Sequence, residues 1–315
     1  MTNPTAIDIN YINERALSDA SAFVEECEDA YSATVSRTAR TIADNLRDSS
    51  IVLLAGPSGS GKTTTAKRLD DDLTLLGINT HTISLDDYFL SPRLDSGPKT
   101  PNGAPDFESP ECIDWTLLNA HFTALERGET VEIPHFSFSM QGRDPNKAKQ
   151  LRLGRDEIAI FEGIHALSTR VTDVHPRAFR LFISAASDFT SDDRIVFQKE
   201  WTRLVRRAIR DSLFRGADAL MTLGMWADVR RGEELYITPF KDSAHMQLNT
   251  TIPYEICAMR DLALDVFGKH TNAAAQLPDL LGILDALPSF APIDATLVPP
   301  HSILREFFGG GKYEY

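Results

Sequence analysis

Apolar positions recur along the chain with two different periods. Between about Asp19 and Asn45, Val24, Cys27, Tyr31, Val35, Ile42 and then Leu46 are spaced by three, four or seven, which predicts an amphipathic helix. Ile51-Val-Leu-Leu-Ala55 is instead a continuous apolar run closed by Gly56 and Pro57, the pattern of a strand buried on both faces. A second helix is predicted from Lys62 to Leu76, with Gly77 as its stop. Thr80 to Leu85, Glu157 to Phe161 and Arg180 to Ser184 read as three more strands. Strands alternating with helices predict an α/β fold, a mostly parallel sheet flanked by helices. Ser91 to Pro110 breaks the rhythm with five prolines and two glycines, so it is expected to be irregular. Because it follows a strand end bearing two aspartates, a substrate-side loop is the expectation.

Composition adds boundaries. The chain has 315 residues, 42% hydrophobic and 24% charged, which excludes disordered, collagen-like and disulfide-scaffold classes. The expected organisation is a helical extension over residues 1–49 and one catalytic domain over residues 50–315. Lys and Arg number 32 against 45 Asp and Glu, a net charge of −13. Such a chain is not expected to bind nucleic acid or anionic lipid, but it can hold a locally basic pocket. The three cysteines (Cys27, Cys112, Cys257) form no CxxC pair and fit a reducing compartment. The first residues, MTNPTAIDIN, lack the basic and apolar regions of a signal peptide, and no apolar run approaches the ~20 residues of a membrane helix. A cytoplasmic protein is expected.

Gly56-Pro-Ser58-Gly59-Ser60-Gly61-Lys62-Thr63 matches the phosphate-binding loop GxxxxGK[ST], with a strand before it and a helix after it. Its amides, together with Thr64 at the helix start, would wrap a triphosphate. Lys62 would reach the β- and γ-phosphates and Thr63 would hold Mg²⁺. Asp86, at the end of the next strand, is the candidate base for a hydroxyl proton, whereas Asp87 reads as a loop cap. Glu162 ends the strand Ile158-Ala-Ile-Phe and is a candidate for the metal side; His165 either lines the pocket or satisfies a backbone group. Residues 201–218 carry Arg203, Arg206, Arg207, Arg210 and Arg215 around an apolar stripe of Leu204, Val205, Ala208, Ile209 and Leu213. In so acidic a chain this predicts an Arg-rich helical lid over the triphosphate, with Arg207 and Arg210 balancing charge during transfer. Phe107, Phe136 and Phe138 could stack a flat base, although spacing alone assigns them to the core.

Together these motifs resemble the uridine kinase and phosphoribulokinase family of P-loop kinases. GPSGSGKTT, SLDDYF, DFESPECID, IPHFSFSMQGR, FEGIHAL and RLVRRAIRD have counterparts in the family's order, from about Ile51 to Leu264. The likeness extends to a bacterial uridine-kinase-like branch through MWADVRRGEELYITPFKDSAHMQLNTTIPYE and SILREFFGG. Many members of that branch carry an N-terminal TGS domain, for which residues 1–49 are too few. The resemblance implies Asp86 as base and Glu162 on the Mg²⁺ side, with Arg203 and Arg215 on ATP. It also implies an acceptor set of Asp86, Tyr88, Phe107, Glu108, Phe136, Phe138, Gln141, Arg143 and His165. Glu108 stands where uridine kinases place an aspartate on the ribose hydroxyls. Gln141 stands at their pyrimidine-reading histidine, and Phe136 at a nearby tyrosine. The expected function is ATP- and Mg²⁺-dependent phosphorylation of a hydroxyl on a small ribose-containing molecule, a nucleoside first. Two alternatives stay open: another small alcohol or sugar (phosphate) as acceptor, or a non-catalytic nucleotide-responsive module. A GTPase is disfavoured, since Asn146-Lys147 is followed by Ala148-Lys149 rather than the NKxD that reads guanine. A homodimer is expected at family level only.

Overall fold

The continuous apolar runs build the centre of the fold, which the computed structural model describes over residues 6–90, 97–137, 140 and 142–314. A short strand β1 (Ala6–Asp8) leads into α1 (Ile9–Asn45). Helix α1 is kinked at Asp19 (φ −156°, ψ 85°), whose carboxylate accepts from Ala22 N and so recaps the helix from within. Then follow β2 (Ile51–Ala55), α2 (Lys62–Leu75) and β3 (Asn79–Ser84). The middle of the chain holds α3 (Trp115–Glu126) and two small hairpins, β4 (Val131–Ile133) with β7 (Lys149–Leu151) and, between them, β5 (Phe136–Ser137) with β6 (Gly142–Arg143). Next come β8 (Glu157–Glu162), α4 (Thr169–Thr172), β9 (Phe179–Ser184), β10 (Asp188–Ser191) and β11 (Arg194–Phe197). The last part comprises α5 (Lys199–Phe214), α6 (Ala219–Tyr236), β12 (Met246–Asn249), α7 (Glu255–Gly268), α8 (Pro278–Ala286) and α9 (Arg305–Phe308).

The main sheet has the order β12-β9-β2-β8-β3, and every pairing in it is parallel. The four strands expected from apolar runs are all present within a residue or so of their predicted ends. Strand β12 escaped that reading because MQLN alternates at a sheet edge and only Leu248 is buried. Strand β2 lies at the centre. Val52 and Leu54 face one core with Leu69, Leu204 and Ile256; Ile51 and Leu53 face the other with Phe122 and Phe161. Helix α1 shares the first of these cores through Ile12, Phe23, Val24, Val35 and Ile42.

Helix α5 buries Leu204, Val205, Ala208 and Ile209 in the same core. Leu213, expected in that stripe, is instead 49% exposed, because the final turn of α5 runs beyond the packed surface. Phe107, which spacing assigned to the core, is 61% exposed. Its irregular segment turns inward through Asp106 and Ser109, both buried, which leaves Phe107 pointing out. Phe136 is buried, edge-on to Phe89 with ring centres 5.7 Å apart. Phe138 and Gln141 lie outside the described residues.

Candidate active site

The carboxyl ends of β2, β3 and β8 bring three segments together, as expected for a ligand site in a parallel sheet. Between β2 and α2 the loop is shaped by Gly59 (φ +74°) and Gly61 (φ +83°), a left-handed backbone that disfavours any other residue. Its carbonyls are engaged one after another. Lys62 Nζ donates to Gly56 O (2.9 Å) and Pro57 O (3.2 Å). Arg203 Nη1 donates to Ser58 O, Arg206 Nη1 to Gly59 O (each 3.2 Å), and Thr250 Oγ1 to Ser60 O (2.8 Å). A peptide plane points its N–H away from its C=O, so carbonyls drawn outward leave the amide side for an anion.

Helix α5 lies against this loop as a packed member of the core. Arg203 is buried in an ion pair with Glu233 of α6, and its Nη2 donates to Glu233 Oε2 at 2.8 Å. Arg206 is fully buried and donates to Glu255 Oε2 and Thr250 O, each at 2.7 Å. Arg207 reaches Ser58 Oγ (3.0 Å), and Arg210 Nη1 donates to Glu306 Oε1 (3.0 Å). Arg215, more than half exposed, pairs with Asp211 at 3.3 Å. Glu233, Glu255, Thr250 and Glu306 were not singled out from the sequence, and Arg206 was named only as one arginine of the expected lid. The spacing of Arg206 inside an apolar stripe was the one local signal for any of them.

Asp86 is the second residue of a 3₁₀ turn over Leu85–Tyr88, its N–H capped by Ser84 Oγ at 3.3 Å. Residues three apart on such a turn share a face, so Leu85 and Tyr88 go inward together. Tyr88, expected in the acceptor set, has its ring fully buried and its hydroxyl 3.0 Å from His121 Nδ1. Asp87 accepts from Phe136 N (3.0 Å) and faces His135 at 3.3 Å, so it ties two loops. Arg143 donates to Tyr88 O and Asp114 Oδ2, both at 3.1 Å, and ties another pair.

Electrostatics mark the residues that converge. Burial pushes the Glu162 carboxyl up to about 7, with Asp86 and Glu306 adding to the rise and Lys62 opposing it. Burial likewise raises Asp86, again opposed by Lys62, and lowers the Lys62 ammonium against the pull of Glu162, Asp86 and Glu306. Glu108 is also pushed to about 7 by burial, with Arg207 and Lys62 pulling it back and Glu233 and Asp86 adding to the rise. It packs on α6 where Gly232 has no Cβ to obstruct it. His165 is 1% exposed between Trp115 and Tyr236, and burial drives it down to about 4, so it is neutral at pH 7. Lys62, Asp86, Glu108, Glu162, Arg207 and Arg210 thus act on one another across the same space.

Among the described residues, no cluster of three or more His, Cys, Asp or Glu side chains could hold a metal unaided. Thr63 and Glu162 nevertheless supply hard oxygen atoms. A carboxyl that burial and neighbouring acids make reluctant to ionise suits a divalent cation, which would restore its charge. Mg²⁺ fits such a site when phosphates and water complete its shell.

A nucleotide-binding loop clasped in this way, with acids at the two neighbouring strand ends, puts the molecule in the class of P-loop kinases. Within that class the chain belongs to the phosphoribulokinase/uridine kinase family, whose profile matches residues 51–255, about two thirds of its length. A uridine kinase of Schizosaccharomyces pombe is 32% identical over 170 residues, which are 54% of this chain and 33% of that protein. A uridine kinase of Halobacterium salinarum is 26% identical over 196 residues, 61% of this chain and 76% of the other. Among solved structures, one from Silicibacter sp. TM1040, described as a fructose transport system kinase, aligns with a TM-score of 0.50. It is 20% identical and covers 68% of this chain and 98% of its own, which supports the fold. No helix among the described residues is long and apolar enough to cross a membrane.

Proposed function

We propose that the protein transfers the γ-phosphoryl group of ATP to a hydroxyl of a small ribose-containing molecule, a nucleoside in the first instance. The observation that carries this reading is the convergence of Lys62, Asp86, Glu108 and Glu162 beside the phosphate loop. Relatives named uridine kinase support the choice of acceptor. In this reading the loop amides, Lys62 and Thr64 hold the triphosphate. The carboxylate of Asp86 accepts the acceptor's proton as its oxygen attacks. The raised affinity of Asp86 for a proton, caused by burial, makes it a better base than a solvated aspartate. Glu108 faces the acceptor as a hydrogen-bonding group, neutral His165 packs behind it, and Phe107 offers an open ring. Arg207 and Arg210 balance charge that spreads over the transferring group. Thr63 and Glu162 would hold Mg²⁺, which when bound neutralises phosphate charge.

A panel of nucleosides, sugars and sugar phosphates, assayed for ADP release with the wild type and Asp86→Asn, tests the proposal. Turnover of a nucleoside that Asp86→Asn abolishes is the expected result. Turnover confined to a sugar phosphate or another alcohol would reassign the acceptor. No turnover of any acceptor, with nucleotide still bound, would leave a nucleotide-responsive module.

A further inference from the structure

The C-terminal segment comes back to the phosphate loop and sets a carboxylate into it. Glu306, 5% exposed, accepts through Oε2 from Thr64 N (3.2 Å) and Thr64 Oγ1 (2.7 Å). Its Oε1 accepts from Arg210 Nη1 at 3.0 Å. Two residues of the same segment fix it there. Ile303 rests on Gly61 so closely that a Cβ at that glycine would lie 2.2 Å from Ile303 Cδ1. Phe307 is fully buried beneath the guanidinium groups of Arg206 and Arg210, which lie 5.1 and 5.7 Å from its ring centre. Ser302 is anchored to Glu28 of α1 at 2.6 Å, and the Arg305 side chain donates to the carbonyls of Ala295, Val298 and Gly309. With Ile303 and Phe307 buried and Ser302 tied to α1, making way for a phosphate falls to the Glu306 side chain rather than to the backbone.

We propose that Glu306 is a tethered competitor of the nucleotide. Its carboxylate takes the donors of Thr64 and Arg210 that a phosphate would use, and it must turn aside each time a nucleotide binds, so this residue sets nucleotide affinity. Three observations carry the inference: an anion seated at the amide end of the loop, an arginine neutralised by that anion, and a backbone too well anchored to withdraw. An acid at this point also works against the ligand, since Glu306 joins Asp86 and Glu162 in a space where a triphosphate brings further negative charge. The segment lies outside residues 51–255, so the competitor is an addition to the part that defines the family. The inference rests on the phosphate loop being the triphosphate site.

The test is calorimetric titration of the full chain with Mg·ADP and with Mg²⁺ and a non-hydrolysable ATP analogue. Glu306→Gln keeps the shape and removes the charge. It should tighten nucleotide binding about tenfold, the scale of a charged hydrogen bond no longer displaced. Glu306→Asp keeps the charge but is one methylene too short to span Thr64 and Arg210, and should tighten binding by a smaller factor. Without nucleotide, Glu306→Gln should melt at a lower temperature than the wild type. A residue that only braced the helix would give that lower melting temperature with unchanged or weaker nucleotide affinity, and this outcome overturns the inference. If Glu306→Gln does not fold, unchanged affinity in Glu306→Asp overturns it equally. Failure of wild type and variants alike to bind any nucleotide defeats the triphosphate reading and the inference together, whereas binding by the wild type with no gain in the variants defeats the inference alone.

Discussion

The donor side and the acceptor side of the site are secured in different ways. Around the phosphate loop, five consecutive carbonyls take side-chain donors from α2, α5 and the segment after β12, and the buried Arg206–Glu255 and Arg203–Glu233 pairs stand behind them. On the acceptor side the framework is loops tied to one another by side chains, Asp87 to Phe136 and His135, Arg143 to Tyr88 and Asp114, and Arg231 of α6 to Asp106, with Phe107 in the open. Rigid amides suit a triphosphate, whose shape is common to every member of the family. A wall of loops can change its side chains without disturbing those amides. Fixed geometry on one side and loops on the other separate the holding of phosphate from the choice of acceptor in the proposed reaction.

If the two sides are independent, removing the proposed base should strike chemistry and spare nucleotide binding. Asp86→Asn is expected to lower kcat by about 10²–10⁴-fold, with Mg·ADP affinity measured by titration changed less than about twofold. A parallel loss of both would show that the two sides are coupled. The next largest effect should come from the donor-side scaffold. Arg206→Met leaves Glu255 buried without its partner, and urea unfolding should record a loss of about 3–5 kcal/mol.

A third effect concerns the raised acids. Glu162 and Glu108 ionise near 7 in the folded protein and near 4.5 when unfolded. The folded state therefore holds their protons more tightly. The stability they contribute is fully present below pH 4.5 and is lost as pH rises through about 7. Melting temperatures of the nucleotide-free protein should decline across that window, and Glu162→Gln should flatten part of the slope. The smallest effect belongs to the acceptor wall: Phe107→Ala should raise the acceptor KM several-fold, about 1 kcal/mol of ring contact. Its unfolding free energy should stay within about 0.5 kcal/mol of wild type, and its nucleotide affinity should not change.

The sequence exposed those parts of the molecule whose cause is local. The run Ile51–Ala55, the glycines after it and Lys62 are adjacent in the chain and adjacent in space, so strand, loop and helix could be read from them directly. Glu162 was legible because it ends an apolar strand, and Asp86 because it follows the end of β3 by two residues. What stayed hidden depends on partners far along the chain. Glu306 meets Thr64 across 242 positions, and nothing in SILREFF announces a carboxylate for a glycine-rich loop. Glu233 and Glu255 looked like ordinary helical acids until α5 placed arginines against them. Phe107 was hard to place for a related reason, because an irregular segment has no period from which to tell its inner face from its outer one.

The two outer stretches of the chain also meet behind the loop, where Glu28 of α1 accepts from Tyr254 Oη and Ser302 Oγ, and Ile303, Leu304 and Phe307 complete a buried surface. Synthesis on the ribosome runs from α1 towards that surface. Arg206 and Arg210 therefore emerge roughly a hundred residues ahead of the ring that covers them, and α1 earlier still. The buried surface over Arg206 and Arg210 stays incomplete until Phe307 has been made, and a nascent chain halted before it should expose apolar surface to chaperones and proteases.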